Sequence, residues 1–502
     1  MQLLPTDEYD QLLIAQAHPP EWTNPSPAGR YNLVAVGGGT AGIVAALGAA
    51  ALGGRAALIE RGLLGGDCLN FGCVPSKSLL SAARAAHVLN LGESFGFSLY
   101  GPPQIDFAAI MQRMRRMRSH ISRHDSAQRF RSLNVDVFFG EASFTGADTL
   151  EVGGQTVRFH RAVIATGARP AVPEIVGLST ADFFTNETIF SLTELPRRLI
   201  VVGGGPVGCE LGQAFRRFGS EVHLVHQGEA LLAKESPDAA RLVQSQLERE
   251  GVHLYLGWST QAVERVGDSK SVVIERNGEK RKLIADAILV AAGRTPNLEG
   301  LGLEAAGVRS TPAGIEVNER LQTANPRIFA AGDVCSSFKF THAADAMARL
   351  CLRNALFFGR KKLSSLVIPR CTYTDPAVAQ VGLTAAEAAR RGIAVDCFRA
   401  ELAEVDRAVV DGDETGFAEV LVRRGTGRVV GATVVARGAG ELIAEMVLLM
   451  TQRRTLAYLA QIIHCYPTRS EVWKRIADSY TRTRLTPTVA KAFDRWLSWW
   501  RR

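Results

Sequence analysis

The chain has 502 residues, 46% hydrophobic and 22% charged, with a formal net charge of +8. That length and balance suit about three domains with sizeable cores and exclude a disordered or fibrous protein. Eight dispersed cysteines are too few for a secreted disulfide framework, so a reducing, cytoplasmic setting is expected. The apolar runs are too short and too broken by glycine and charge to span a bilayer, and the basic balance comes with no nucleic-acid motif, so no nucleic-acid partner is expected.

Residues 1–29 form an extension, acidic early and then proline-rich, without the basic region and apolar core of a signal peptide. Tyr31 to Val36 reads as a strand running into Gly37-Gly38-Gly39-Thr40-Ala41-Gly42 and an alanine-rich helix. The next strand, Arg55 to Ile59, ends at Glu60. This is a βαβ unit whose glycines, Gly37, Gly39 and Gly42, allow a tight turn, backbone approach to a pyrophosphate and close helix packing. Glu60 is placed for ribose hydroxyls.

Gly65 to Lys77 follows, with Cys68 and Cys73 spaced to close a small disulfide ring and reopen it as a dithiol. Pro75 and Ser76 predict a helix start, where a thiol pKa falls. The segment therefore reads as a redox centre. Ala162 to Ala168 is a strand entering a glycine turn at Thr166 and Gly167.

The fingerprint then repeats. Leu199 to Val202 leads into Gly203, Gly205 and Gly208, a helix through Phe218 and a strand Glu221 to Val225. Two fingerprints imply two nucleotides, a flavin and a nicotinamide. From Gly37 to Glu60 is the same step as from Gly203 to His226. The first fold has an acid at that position and the second an imidazole. With Lys234 nearby in sequence, this favours NADPH, with NADH still possible. Ile288 to Gly293 echoes the earlier glycine turn, and Ile328 to Ala331 is a strand ending at Gly332 and Asp333. From about Pro369 the texture becomes antiparallel: strands Phe417 to Arg423 and Arg428 to Ala436, then a helix Gly440 to Gln452. Thr488 to Arg502 reads as a basic amphipathic helix with a Trp/Phe/Leu face, suited to its own dimer or to an anionic membrane surface.

The cysteine segment, set just after the first fingerprint, resembles the redox-active disulfide of the pyridine nucleotide-disulfide oxidoreductases, the class I flavoprotein disulfide reductases. The resemblance covers Tyr31 to Tyr480. It implies an α/β fold with two doubly wound Rossmann-type nucleotide-binding domains and a C-terminal α+β dimerisation domain. The implied divisions are an extension at 1–29, an FAD-binding domain at 30–180 and 300–366, an NAD(P)H-binding domain at 181–299, a dimerisation domain at 367–480 and a tail at 481–502.

The resemblance also implies FAD and a homodimer with shared active sites. By it, Cys73 is the thiol near the flavin, Cys68 the thiol that meets substrate, Lys77 the lysine near the flavin ring, Glu210 its ion-pair partner, and Asp333 a contact to the ribityl chain. The family's His-Pro-Thr followed by Glu stands here as Tyr466-Pro467-Thr468 followed by Glu471. A phenol is a poor base at neutral pH. Mercuric reductases also place tyrosine at this position, which moves the expectation toward a soft acceptor such as Hg(II) held by Cys68 and Cys73. No structural metal site is expected. His464, two residues upstream, is a substitute base. Against the mercuric branch, the tail Trp496 to Arg502 lacks the vicinal cysteine pair of those enzymes, and their N-terminal metal-binding domain is not seen, so Cys465 or small thiols would have to deliver the metal. The alternatives are a reductase of a low-molecular-weight disulfide or quinone, and a flavin-containing metal-binding or redox-sensing protein.

Overall fold

The structure is a computed structural model that describes residues 5–97, 101 and 104–501. It divides into two compact units, residues 1–229 with 250–366, and residues 230–249 with 367–502. Residues 230–249, inside the stretch expected to belong to the nicotinamide domain, thus group with the C-terminal part.

The first unit opens with helix α1 (Glu8–Ala17), which the sequence reading did not identify. The nucleotide fold follows: β1 (Arg30–Val36), α2 (Thr40–Ala51), β2 (Ala56–Glu60), the short α3 (Gly66–Asn70), α4 (Cys73–Asn90), α5 (Phe107–Ser122), α6 (Ala127–Ser132), β3 (Val135–Phe139), β4 (Ala142–Gly146), β5 (Thr149–Val152) and β6 (Gln155–Ile164). The strands line up in the order β3-β2-β1-β6-β5-β4, and the strand Ile328–Ala330 joins β6. β1, β2, β3, the end of β6 and Ile328–Ala330 are parallel. Such strands are covered on both faces, which is why β1 and β2 read as near-continuous apolar runs. Tyr31, Val34, Ile59, Phe138, Phe159 and Ile164 are among the residues of one core cluster on this sheet.

Register sets the site. Val36 lies opposite both Ile59 and Ile164, and Ile164 lies opposite Ala330. The glycine loop, Glu60, the Thr166–Gly167 turn and Gly332–Asp333 therefore leave the sheet along one carboxyl edge, where open α/β sheets bind ligands.

After β7 (Ala168–Pro170), a second sheet forms from β8 (Arg198–Val202), with α7 (Pro206–Phe218) and β9 (Glu221–His226) completing its βαβ unit. It is parallel, in the order His253–Leu256, β9, β8, Ala287–Val290. A three-stranded antiparallel sheet, 259–285, packs with it around Trp258, Val272 and Ile274.

The second unit is built on a five-stranded antiparallel sheet that includes Phe417–Arg423 and Arg428–Ala436, as the alternating pattern predicts. Trp473 is fully buried against it and donates its indole N–H to the Leu442 carbonyl at 2.9 Å. The helix expected over 440–452 is two abutting helices, Ala439–Leu442 and Ala444–Thr451, joined at Ile443. The tail forms the helix Pro487–Trp500; Arg502 lies outside the described residues. Among the described residues no helix is long and apolar enough to cross a membrane.

Candidate active site

α4 begins at Cys73, two residues before Pro75, and its first helical bond runs from Ser76 N–H to the Gly72 carbonyl at 3.1 Å. Proline is tolerated at Pro75 because first-turn amides have no partner to lose. Cys73 thus occupies the first helical position, where the exposed amides favour a thiolate.

The segment before it is fixed by glycine. Gly65 and Gly66 both take left-handed backbone, and a Cβ on Gly66 would come within 2.6 Å of the Gly39 Cα. Only glycine lets α3 press against the first fingerprint loop, which places Cys68 beside it. The Gly65 amide also donates to the Gly38 carbonyl at 2.9 Å.

Cys68 and Cys73 are free thiols that hydrogen-bond to one another. Cys73 Sγ also lies 3.2 Å from Thr341 Oγ1, on the helix Thr341–Leu356. The hydrogen bond from Cys68, with help from Thr341 and the Lys77 charge, lowers the Cys73 pKa to about 6. The same bond, with burial, raises that of Cys68. One thiolate and one thiol therefore share the proton, the arrangement that a ring-closing dithiol needs. Lys77, one turn along α4, gives its Nζ to Glu210 Oε2 at 2.7 Å. Glu210 is 5% exposed on α7, so the pair compensates a carboxylate that burial would otherwise penalise, and holds the ammonium near Cys73.

Around the pair, Arg294 approaches both Asp67 at 3.2 Å and Asp333 at 3.3 Å. Burial raises the Asp333 carboxyl and Arg294 opposes that shift. Asn186 donates to Asp67 and to the Phe71 carbonyl. Thr341, Arg294, Asp67 and Asn186 had no signal in the sequence, because they are polar residues without a motif that only the fold brings to the cysteines.

The nucleotide residues behave as the fingerprints require. A Cβ on Gly42 would sit 1.8 Å from the Gly37 carbonyl oxygen, and one on Gly208 would sit 1.9 Å from that of Gly203. The helices behind, α2 and α7, have Gly39 and Gly205 as caps with no side-chain cap bond, and a Cβ on Gly205 would meet nothing within 4 Å. Uncapped amides fit a pyrophosphate at each site, and the space at Gly205 is open. Glu60 accepts the Gly38 and Gly62 amides at 2.6 and 2.7 Å, which leaves each oxygen a second lone pair for a ribose hydroxyl. Thr166 donates to the Asn297 carbonyl at 2.8 Å, and Asn297 N–H returns a bond to Gly167. Gly293 is left-handed beside this turn, as Gly167 and Gly332 are.

His226 ends β9, and burial lowers its pKa, so it presents a neutral imidazole at the position where Glu60 stands in the first fold. Lys234 belongs to the second unit, where its carbonyl accepts from Arg370.

In that second unit, Tyr466 is 72% exposed and donates to Asp406 Oδ2 at 3.0 Å. That bond raises the phenol pKa further. His464 Nε2 is instead 3.0 Å from Glu445 Oε2, with the imidazole 4% exposed. Glu471 accepts the Thr468 amide at 3.4 Å, at the start of the helix Glu471–Thr483. Thus the tyrosine's acidic hydrogen-bond partner is Asp406, while Glu471 closes the first turn of its own helix.

Residues 31–348 match the pyridine nucleotide-disulphide oxidoreductase family, and residues 368–477 match its dimerisation domain. The chain belongs to this family. It is an FAD-dependent oxidoreductase that uses a pyridine nucleotide, and its dimerisation domain supports a homodimer. It is 35% identical over 457 residues to a mercuric reductase of Staphylococcus aureus, covering 90% of this chain and 83% of that one. It is 34% identical over 449 residues to a dihydrolipoyl dehydrogenase of Thermus scotoductus, covering 88% and 95%. Among solved structures, the HOCl-induced flavoprotein disulfide reductase RclA of Escherichia coli superposes with a TM-score of 0.79 at 27% identity, over 89% of this chain and 99% of that one. LpdA of Mycobacterium tuberculosis gives 0.82 at 26%, over 89% and 99%.

The thiol geometry sets a titration. In the reduced protein, thiolate absorbance should rise through a midpoint near pH 6, with the Cys73 thiolate present above it and lost below. Lys77→Met removes the nearby cation and should raise that midpoint by roughly one unit. Cys73→Ser should abolish the step.

Proposed function

We propose that this enzyme takes electrons from NADPH and passes them through the Cys68–Cys73 disulfide to a soft metal ion, Hg(II) foremost. The observation that carries the reading is the state of the bases in the second unit. Tyr466 is held protonated by Asp406, and His464 is buried against Glu445. Neither is placed to return a proton to a departing thiol, which reduction of a disulfide substrate demands. Two thiolates binding a soft cation need no such proton.

FAD, when bound, supplies the two-electron relay between nicotinamide and disulfide. The chain's own residues do the rest. Uncapped amides at the starts of α2 and α7 would hold the two pyrophosphates, and Lys77, fixed by Glu210, keeps a positive charge beside Cys73. Cys73 holds the thiolate, and Cys68 carries the proton until metal or ring closure displaces it. Two electrons from NADPH convert Hg(II) to Hg(0). The mercuric reductases among the relatives and the Cu(II) complex described for RclA support a metal-ion acceptor. The dihydrolipoyl dehydrogenases keep a low-molecular-weight disulfide as the second reading. In the dimer, Tyr466 would serve the partner's cysteines.

NADPH consumption should therefore respond to Hg(II) and run slowly with glutathione disulfide or lipoamide. Tyr466→Phe should reduce the Hg(II) rate while flavin reduction by NADPH stays intact. Fast turnover of a common disulfide with no response to Hg(II) would reverse the assignment.

Cofactor choice rests on His226, a small neutral group where an acid would repel a 2′-phosphate. The parent should show higher kcat/KM with NADPH, and His226→Glu should move the preference toward NADH. A parent that favours NADH would remove this part alone.

We also propose that the tail helix Pro487–Trp500 rests on an anionic lipid surface. Val489, Phe493, Trp496, Leu497 and Trp500 recur at helical spacing and are exposed, while Lys491, Asp494, Arg495 and Arg501 fall on the other side. The helix lies beyond the match to the dimerisation domain, and its basic excess complements anionic headgroups. The protein should co-sediment with vesicles containing phosphatidylglycerol more than with phosphatidylcholine alone, and Trp496→Ser with Trp500→Ser should abolish this. A variant that instead dissociates the dimer would show the face to be a subunit contact.

A further inference from the structure

The family match begins at residue 31, yet the segment before it is built into the redox loop. Asp10, on α1, is fully buried and meets Arg118 of α5 at 2.6 Å. The other end of that guanidinium donates to the backbone carbonyl of Asn70 at 2.9 Å. Asn70 closes α3 and lies between Cys68 and Cys73 in the chain. Its own side-chain amide donates to the carbonyls of Gly66 and Leu64, at 2.9 and 3.1 Å.

The same segment holds the near side of the loop. The Leu64 amide donates to the Ala17 carbonyl at 3.1 Å, and His18 Nδ1 lies 2.7 Å from the Gly62 carbonyl. His18 stacks on Phe139, with ring centroids 3.9 Å apart. The extension is thus a strap across the β3 edge and the cysteine loop.

A helix as short as α3 leaves its final carbonyls without backbone partners, and Arg118 satisfies that of Asn70. An arginine 3% exposed keeps its charge buried only beside a compensating anion. Asp10 is that anion. Without it the guanidinium has reason to turn toward solvent, releasing the Asn70 carbonyl and loosening the chain between the two sulfurs.

We infer that Asp10 is a positioning residue for the Cys68–Cys73 pair: through Arg118 it holds Asn70, and so sets how readily the two sulfurs close into a disulfide. This rests on the reading of that pair as the redox centre. The closing of a ring depends on the effective concentration of one thiol at the other, and a loop held by Arg118 samples fewer open arrangements than a free one.

The test uses the FAD-loaded enzyme and the equilibrium between dithiol and disulfide in glutathione redox buffers, read by thiol labelling of Cys68 and Cys73. Asp10→Asn should weaken ring closure about tenfold, a shift of about 30 mV toward easier reduction. The thiolate midpoint should move with it, and kcat should fall while KM for NADPH stays constant. Asn70→Ala, which deletes the bonds to Gly66 and Leu64, should move the equilibrium in the same direction. Trp22→Phe, on the same strap, removes the bond to the Val137 carbonyl of β3 while keeping a ring beside Phe139 and Arg131, and should lower the melting temperature without moving the equilibrium. If Asp10→Asn and Asn70→Ala lower the melting temperature and leave both the equilibrium and the thiolate midpoint as in the parent, the strap is structural only and the inference fails. A parent whose two cysteines never form a disulfide would sink the redox reading itself, which sets that failure apart from this one.

Discussion

The arrangement depends first on the parallel register of one sheet. Val36, Ile59, Ile164 and Ala330 end their strands side by side. That alignment collects residues far apart in the chain, from Gly37 to Asp333, along one edge. Parallel pairing is also what lets the fold repeat: β8, β9 and Ala287–Val290 form a second edge of the same kind, with Gly203, His226 and Gly293 leaving it. Each edge ends in a helix whose first amides carry no cap, so each fold presents an anion site.

On that frame the chemistry is tuned by buried charge. Glu60, Asp333 and Asp10 are carboxylates that burial pushes up, and each has donors that oppose the shift: backbone amides for Glu60, Arg294 for Asp333, Arg118 for Asp10. Glu210 does the converse for Lys77, keeping an ammonium fixed beside Cys73. The result is a thiolate stabilised by a cation, a hydroxyl, a neighbouring thiol and a helix start, in a setting where a solvated cysteine would stay protonated. The redox loop is therefore held from three sides, by the first fingerprint through Gly65 and Gly66, by Asn186, and by the N-terminal strap.

The second unit carries the chain's main departure from the disulfide-reducing pattern. Its phenol is tied to Asp406 rather than to Glu471, and its nearest histidine is occupied by Glu445. Both facts weaken proton delivery, and they are the ground on which a metal-ion acceptor is proposed. The mercuric reductases and the dihydrolipoyl dehydrogenases match the chain at nearly equal identity, so overall likeness does not choose between them and the base inventory has to.

Local pattern determined a good deal here. Both fingerprints, the cysteine spacing, the two long strands of the C-terminal sheet and the amphipathic tail follow from backbone rules that act over a few residues: glycine where no Cβ fits, alternation on a half-buried sheet, apolar spacing on a helix. The Lys77–Glu210 pair was legible only through the resemblance. What the sequence left dark was set by contacts between distant segments. Thr341 on Cys73, Arg294 between Asp67 and Asp333, and Asp406 on Tyr466 are single polar residues in unremarkable surroundings. The helix Glu8–Ala17 looked like a polar extension because the partner of its Asp10 is Arg118, and nothing near either residue in the chain announces the other. A buried ion pair draws its stability from a dielectric environment that exists only once the chain has folded, and for that reason only the tertiary structure could decide it.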